Sequence, residues 1–406
     1  MIKQWFFLEN TQRPYPWGST DGIPTVMGFE NPNLRPIAEL WMGAHPSAPS
    51  TIIDGNLRRP LDSVINKEPE LYLGKACISN FGEHLPYLLK ILSAAHPLSI
   101  QVHPGEGQAQ KGFKKENNQG IPVDDPTRSY KDPFHKPEII MALTNFSAMC
   151  GFRHIDATVE LFRQLGCKEL FPVVEELEKT QDYKKFLSML FILSEQTKDT
   201  IFDLLEKKLF NYQPNKGNTQ LDPFTVVEQL MREYPRDMGI LAPLYLNSIL
   251  LKPGEAIYLP DGIMHAYLKG TGIELMGNSD NVLRCGLTKK HIDIPELLSI
   301  LNPEPYMPEI ILPISEGSIP FYKTPAKEFE LSIIQPKDIP ITVTISTPSI
   351  LVCLTPTLRI TGASGAYTEI KQGATLFFPA NAGSITFSGD GSGYMACVPV
   401  ENLLKQ

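Results

Sequence analysis

Two short segments of the chain repeat one another, and that repeat limits the available folds more than any other feature. Lys252-Pro-Gly-Glu-Ala-Ile-Tyr-Leu-Pro260 aligns with Lys371-Gln-Gly-Ala-Thr-Leu-Phe-Phe-Pro379. Each reads as a glycine turn, an apolar strand and a proline turn. A strand of this kind buries its apolar face only when a second layer covers it, so the repeat predicts two β-sandwich modules in one chain. Laid side by side, the segments put Ser384 opposite His265. The first module keeps an imidazole where the second has a hydroxyl, so any bound metal is expected in the first and not in the second.

Ahead of the repeats the texture changes. Residues 1 to about 154 read mainly as strands and loops, with apolar or alternating runs such as ELWMGAHPSAPSTII, LPYLLKILSAAHPLSIQVHP and KPEIIMALTNFSAMCGF punctuated by Pro, Gly and Asn. From about Ile155 the period becomes helical. Asp156 is positioned to cap a helix starting at Ala157. Ile201, Leu204, Leu205 and Leu209 share one face of a 3.6-residue period, as do Phe186, Leu190 and Leu193. Residues 155–240 are therefore expected to be a helical insert that covers the sandwich. Strand texture returns from about 245, broken by the helical stretch IPELLSIL, and from Ala326 onward the Thr, Ser, Ile and Val content suits an all-β module.

Composition narrows the partners. The net charge is −8 over 406 residues, and no run of Lys or Arg is long enough to track a nucleic-acid backbone. An anionic small molecule remains open, because binding follows local charge. The six cysteines form no CxxC and no close pairs, as expected of a reduced cytoplasmic chain rather than a disulfide framework or a thiolate zinc site. No segment reaches the roughly 18 apolar residues of a membrane span, and the apolar start ends at Glu9, too soon for a signal peptide.

Three polar clusters interrupt the strands. In Leu98-Ser-Ile-Gln-Val-His103 the side chains of Ser99, Gln101 and His103 face one way, and Ile100 and Val102 the other. Glu138 opens the apolar run Ile-Ile-Met141, where a carboxylate is costly to bury unless it is paired or metal-bound. His265 follows a Pro/Gly turn and leads into a strand. The stretch from Gly272 to Lys290 then packs Glu274, Asn278, Asp280, Asn281 and Arg284 into what should be a β core, a density that points to a site. Gln101, His103, Glu138 and His265 together suit Zn²⁺. Two His and a carboxylate also fit the iron facial triad, although the glutamine fills a position that O₂ chemistry needs open.

QVHP, YxDxxHKPE and the run HAYLKGTGIELMGNSDNVLRCGLTKKHID resemble the type I mannose-6-phosphate isomerase family, as do Ala38 to Ser50 and Tyr15-Pro-Trp17-Gly18. One departure is Thr288-Lys289-Lys290, where the family usually has Thr-Pro-Lys. The resemblance implies a mainly β protein of two cupin-like jelly-roll domains plus an α-helical domain. The zinc-binding cupin domain would comprise residues 1–154 and 241–318, the insert 155–240, and a metal-free cupin-like domain 319–406. It further implies one zinc on Gln101, His103, Glu138 and His265, Arg284 as the active-site arginine, Lys136 as a substrate contact, and His135 and Asp280 as proton-transfer groups. The implied protein is a cytoplasmic monomer. It interconverts mannose 6-phosphate and fructose 6-phosphate through an enediolate and so supplies mannose metabolism and GDP-mannose synthesis.

The substrate phosphate needs cations in an acidic chain. Lys136 is expected to serve, with Ser99 and one of Lys289 or Lys290 beside it, here Lys290. Glu274 is open to a structural or a catalytic role. His45, His84, His96, His154 and His291 are expected to pack or face solvent, and Trp17 and Trp41 to lie in the core or at a domain contact rather than stack on substrate.

Overall fold

The computed structural model describes residues 3–210, 212, 221–317 and 319–399. The expected spans 1–154, 155–240, 241–318 and 319–406 therefore each include at least one position outside the described residues.

The fold is mainly β, in antiparallel sheets. Its central element is the strand His265–Gly277, the longest described. Its first half runs along Phe146–Phe152, and its first residue also pairs with Ile100–Val102, so that His265 faces Cys150 on one side and Gln101 on the other. Its second half lies between Tyr87–Ala94 and Glu138–Ala142, with Glu274 opposite both Lys90 and Ile140. A register shift between Tyr267 and Lys269 marks the change of partners. One strand thus serves two groups of neighbours, whose inward faces enclose a core of Ala148, Ile257, Leu259 and Tyr267.

The repeated segments form equivalent strands, Ala256–Leu259 and Thr375–Phe378. Each is preceded by a glycine in the left-handed region, Gly254 at φ +87° and Gly373 at φ +84°. A side chain there would be strained, which explains why both copies of the turn carry glycine. Ser384 sits at the start of Gly383–Ser388, as His265 starts its own strand. The C-terminal strands do not stand alone. Phe6–Glu9 pairs with Thr375–Phe378 on one side and with Thr51–Asp54 on the other, so one sheet runs from the N-terminal segment into the last module.

Two local expectations are corrected. Residues 1–154 hold more helix than their texture suggested, including Leu61–Lys67, Lys75–Phe81 and Glu106–Asn118. The last buries only Ala109, Gly112 and Glu116, so it has no apolar stripe to be read. Asp156 does not cap its helix, which begins earlier at Ile155 with His154 as N-cap. Asp156 lies in the first turn, where its charge meets the positive end of the helix dipole.

Among the described residues of 155–240 most lie in helices, and these are joined to the sheets through the core. Ile201, Leu205 and Leu209 are buried along one face. Ile100 and Val102 turn into the same cluster as Phe162, Phe186 and Leu241. At the junction Phe152 stacks on Tyr183, with centroids 4.0 Å apart and planes 6° apart. The Tyr183 hydroxyl donates to the Arg153 carbonyl at 3.0 Å. Phe152→Ala should lower the unfolding free energy by about 3–5 kcal/mol, the range for a buried aromatic truncation, as measured by urea denaturation.

Candidate metal centre

His103, Glu138 and His265 come together with ligand atoms all within 4.8 Å of one another. All three are buried, at 2%, 1% and 1% exposure. Their backbones dictate which atoms meet. His103 Nδ1–H donates to the Asn281 carbonyl at 2.7 Å, and His265 Nδ1–H to the Ile263 carbonyl at 3.0 Å. A carbonyl only accepts, so each Nδ1 carries the proton and each Nε2 presents a lone pair. Both Nε2 atoms point at Glu138, 3.4 Å from Oε1 and Oε2 respectively. Burial pushes the His103 imidazole down to about 4, which keeps it neutral at ordinary pH.

These atoms are acceptors facing acceptors. His103 Nε2 and Glu138 Oε2 are buried without a hydrogen-bond partner among the described residues. An unpaired buried polar atom costs about 1–3 kcal/mol, so the arrangement suits a cation at its centre. The Gln101 amide lies 3.2 Å from His265 Nε2. A half-turn of that amide exchanges its nitrogen for its oxygen and completes a set of two imidazoles, a carboxylate and an amide oxygen. The donor set fits zinc. Burial opposes the Glu138 charge, but the Lys136 ammonium, 3.2 Å from Oε1, outweighs it and holds Glu138 below the usual carboxylate range.

Arg284 stands directly across the strand pair from Gln101, which His265 flanks on the other side. Residues directly opposite in a sheet share a face, so the guanidinium shares the ligands' face. It makes no hydrogen bond or ion pair among the described residues, and burial draws its pKa below the ordinary value. Lys290 is exposed and close enough to Arg284 and Lys131 that, after burial, their charges lower its pKa. Ser99 is half-buried, two residues ahead of Gln101.

Asp280 and His135 go separate ways. Asp280 Oδ2 lies 3.3 Å from His45 Nε2, and its side chain is 45% exposed. Burial works against its charge, but His45 and then the Lys136 and Lys90 cations hold its pKa below the ordinary value. His45, expected to pack or face solvent, is buried against the Trp41 ring at 4.9 Å and braces Asp280. His135 has both ring nitrogens engaged, Nδ1 with Asp261 at 2.9 Å and Nε2 with Glu328 at 2.8 Å. It ties the loop before His265 to the segment leading into the C-terminal module.

Two residues that the sequence reading did not single out join the site. Lys90 is buried in the strand Tyr87–Ala94, where every position is buried. Its Nζ lies 2.9 Å from Glu274 Oε2, 3.6 Å from Glu39 Oε1 and 5.2 Å from the Trp41 ring. Burial opposes its charge, but the two carboxylates outweigh it and raise its pKa. A lone lysine inside LLKIL was the available signal. Tyr267, two residues after His265, has a buried hydroxyl without a hydrogen-bond partner among the described residues. The expected polar density of Asn278 to Asn281 is partly bracing. Ser279 donates to Asp132 Oδ1 at 2.8 Å, and Asn281 donates to the Asp132 and Phe134 carbonyls, both at 2.8 Å.

Known proteins resemble this chain. A model of the phosphomannose isomerase type I catalytic domain matches residues 5–155. The chain is 37% identical over 392 residues to the mannose-6-phosphate isomerase of Escherichia coli (strain K12), covering 95% of this chain and 97% of that one. It is 31% identical over 409 residues to the mannose-6-phosphate isomerase of Homo sapiens, covering 93% of each. The crystal structure of the Salmonella typhimurium mannose 6-phosphate isomerase, bound to its substrate fructose 6-phosphate and to zinc, superposes with a TM-score of 0.89 at 33% identity. That match covers 98% of this chain and 100% of that chain.

Two outcomes follow from the geometry. Glu138→Ala removes the only anion of the group, and His265→Ala a lone pair, so either variant should fail to retain added zinc through dialysis, as read by elemental analysis. The second concerns pH. His135 is pushed up to about 10, because its bonds to Asp261 and Glu328 outweigh burial. An unfolded histidine titrates near ~6.5. The clamp therefore stabilises fully below that pH, and its contribution is lost as pH rises through about 10. His135→Gln should remove that decline from denaturant titrations run between pH 7 and 10.

Proposed function

The chain belongs to the type I mannose-6-phosphate isomerase family, and from that premise we propose that it interconverts mannose 6-phosphate and fructose 6-phosphate at the His103–Glu138–His265 group. The observation that carries this reading is the set of buried, unpartnered acceptor atoms converging beside Arg284. Gln101, His103, Glu138 and His265 would hold one zinc, which when bound acts as a Lewis acid on the substrate's oxygens.

An aldose–ketose isomerisation moves a proton between C2 and C1 and passes through an enediolate with negative charge on oxygen. Arg284 supplies a fixed positive charge for that oxygen, since a guanidinium stays protonated through any working pH. Asp280 is the candidate base. Its Oδ2 is engaged by His45, while Oδ1 has no partner among the described residues and is held ionised. His135 fits proton transfer less well, because both its nitrogens are bonded to carboxylates. The Lys90–Glu274 pair and the Tyr267 hydroxyl offer hydrogen bonds to the sugar hydroxyls.

Lys290 suits the phosphate, because no carboxylate neutralises it among the described residues, and Ser99 is a second candidate for that end. Lys136 is paired with Glu138 and so belongs with the reacting end. The cupin-like division, with a metal in the first module alone, is supported by the paired turns at Gly254 and Gly373 and by Ser384 in the place of His265.

The test is turnover. Zinc-loaded protein given mannose 6-phosphate should produce fructose 6-phosphate in a coupled assay and lose that activity on chelation. No turnover in a folded, metal-loaded sample would overturn the reading. Arg284→Ala should keep its zinc and lose about 10²–10³-fold in kcat, the usual loss for one oxyanion donor.

A further inference from the structure

The helical insert ends against the strand that carries Arg284, and one carboxylate joins them. Asp237 precedes the 3-10 turn Met238–Leu241 and caps it, with Oδ1 accepting the Gly239 N–H at 2.7 Å. Its other oxygen reaches out of the insert and accepts the Thr288 N–H at 3.0 Å. Thr288 lies two residues past the strand Leu283–Gly286. Its hydroxyl in turn accepts the Lys290 N–H at 3.1 Å. Asp237 thus holds the turn between the two cations assigned above to the substrate.

That turn needs holding. The pairing with Ile100–Val102 slips between Arg284 and Gly286, a bulge of the kind that re-aims a side chain. Leu287 then takes φ +53°, left-handed backbone that a leucine rarely adopts. Leu287 is buried in the cluster it shares with Ile240 and Leu241 of the insert. The two backbones are in close contact, since a Cβ on Gly239 would lie 2.8 Å from the Leu287 nitrogen. A conformation this unfavourable persists only where its surroundings over-determine it.

We propose that Asp237 is a positioning residue for the substrate's phosphate. Its carboxylate locks the strained turn and so fixes the spacing between Arg284, at the reacting end, and Lys290, which meets the dianionic group. The insert is then more than a cover, because its last turn sets the anion-binding side of the site. This rests on the sugar-phosphate reading above.

The experiment is calorimetric titration of inorganic phosphate into zinc-loaded protein, which reports binding without turnover. Asp237→Ala should weaken phosphate binding about tenfold while keeping its zinc, because the Asp237 carboxylate bonds to Gly239 and Thr288 and to none of the four ligands. Asp237→Asn, which keeps one acceptor oxygen, should fall between that variant and wild type. In the coupled assay both variants should raise KM for mannose 6-phosphate more than they lower kcat. A folded, zinc-loaded Asp237→Ala with wild-type phosphate affinity would overturn the proposal. So would a loss of phosphate affinity that appears only together with loss of zinc. Should the alanine variant not fold, wild-type affinity in Asp237→Asn would overturn it equally. A wild-type chain that binds phosphate but never isomerises would sink the functional reading instead, a result separate from these.

Discussion

Acceptor atoms turned toward one another in a dry interior repel unless a positive charge lies among them. That tension at His103, Glu138 and His265 organises the surrounding structure. Backbone carbonyls of Asn281 and Ile263 take the Nδ1 protons and so force the lone pairs inward. Lys136 supplies part of the missing positive charge to Glu138 without occupying the centre. Holding such a group together takes rigid support. The central strand provides it, since it pairs on both sides at His265 and again from Gly272 to Met276.

A second layer of bracing sits around the first. Asn281 is fully buried, joins the loop at Asp132 to Phe134, and passes its carbonyl to His103. His135 ties Asp261 to Glu328, and His45 steadies Asp280. Each is a polar side chain spent on geometry. The chain thus carries a polar density that resembles chemistry throughout, while only some of those residues face the cation group.

Much of this was legible beforehand. The alternation in Ser-Ile-Gln-Val-His103 separates a polar face from an apolar one, and Ile100 and Val102 do enter the core. The two glycine turns fall at equivalent places because a left-handed backbone admits few other residues there. The polar helix Glu106–Asn118 was not legible, because it presents almost nothing to the core and so has no period. Lys90 escaped notice for a different reason. Its meaning lies in Glu274, 184 positions away, and a charge in an apolar run declares only that a partner exists.

By itself the sequence determined the residue types of the site, the faces on which they lie and the succession of β, helical and β texture, because these follow from local periodicity and turn chemistry. Only the tertiary structure decided which distant groups meet. It paired Asp280 with His45 and His135 with two carboxylates, and it brought Asp237 to the turn after Arg284. Such meetings depend on how the strands are ordered and how far their registers slip. Those are set by the packing of the whole chain, and no short stretch of residues encodes them.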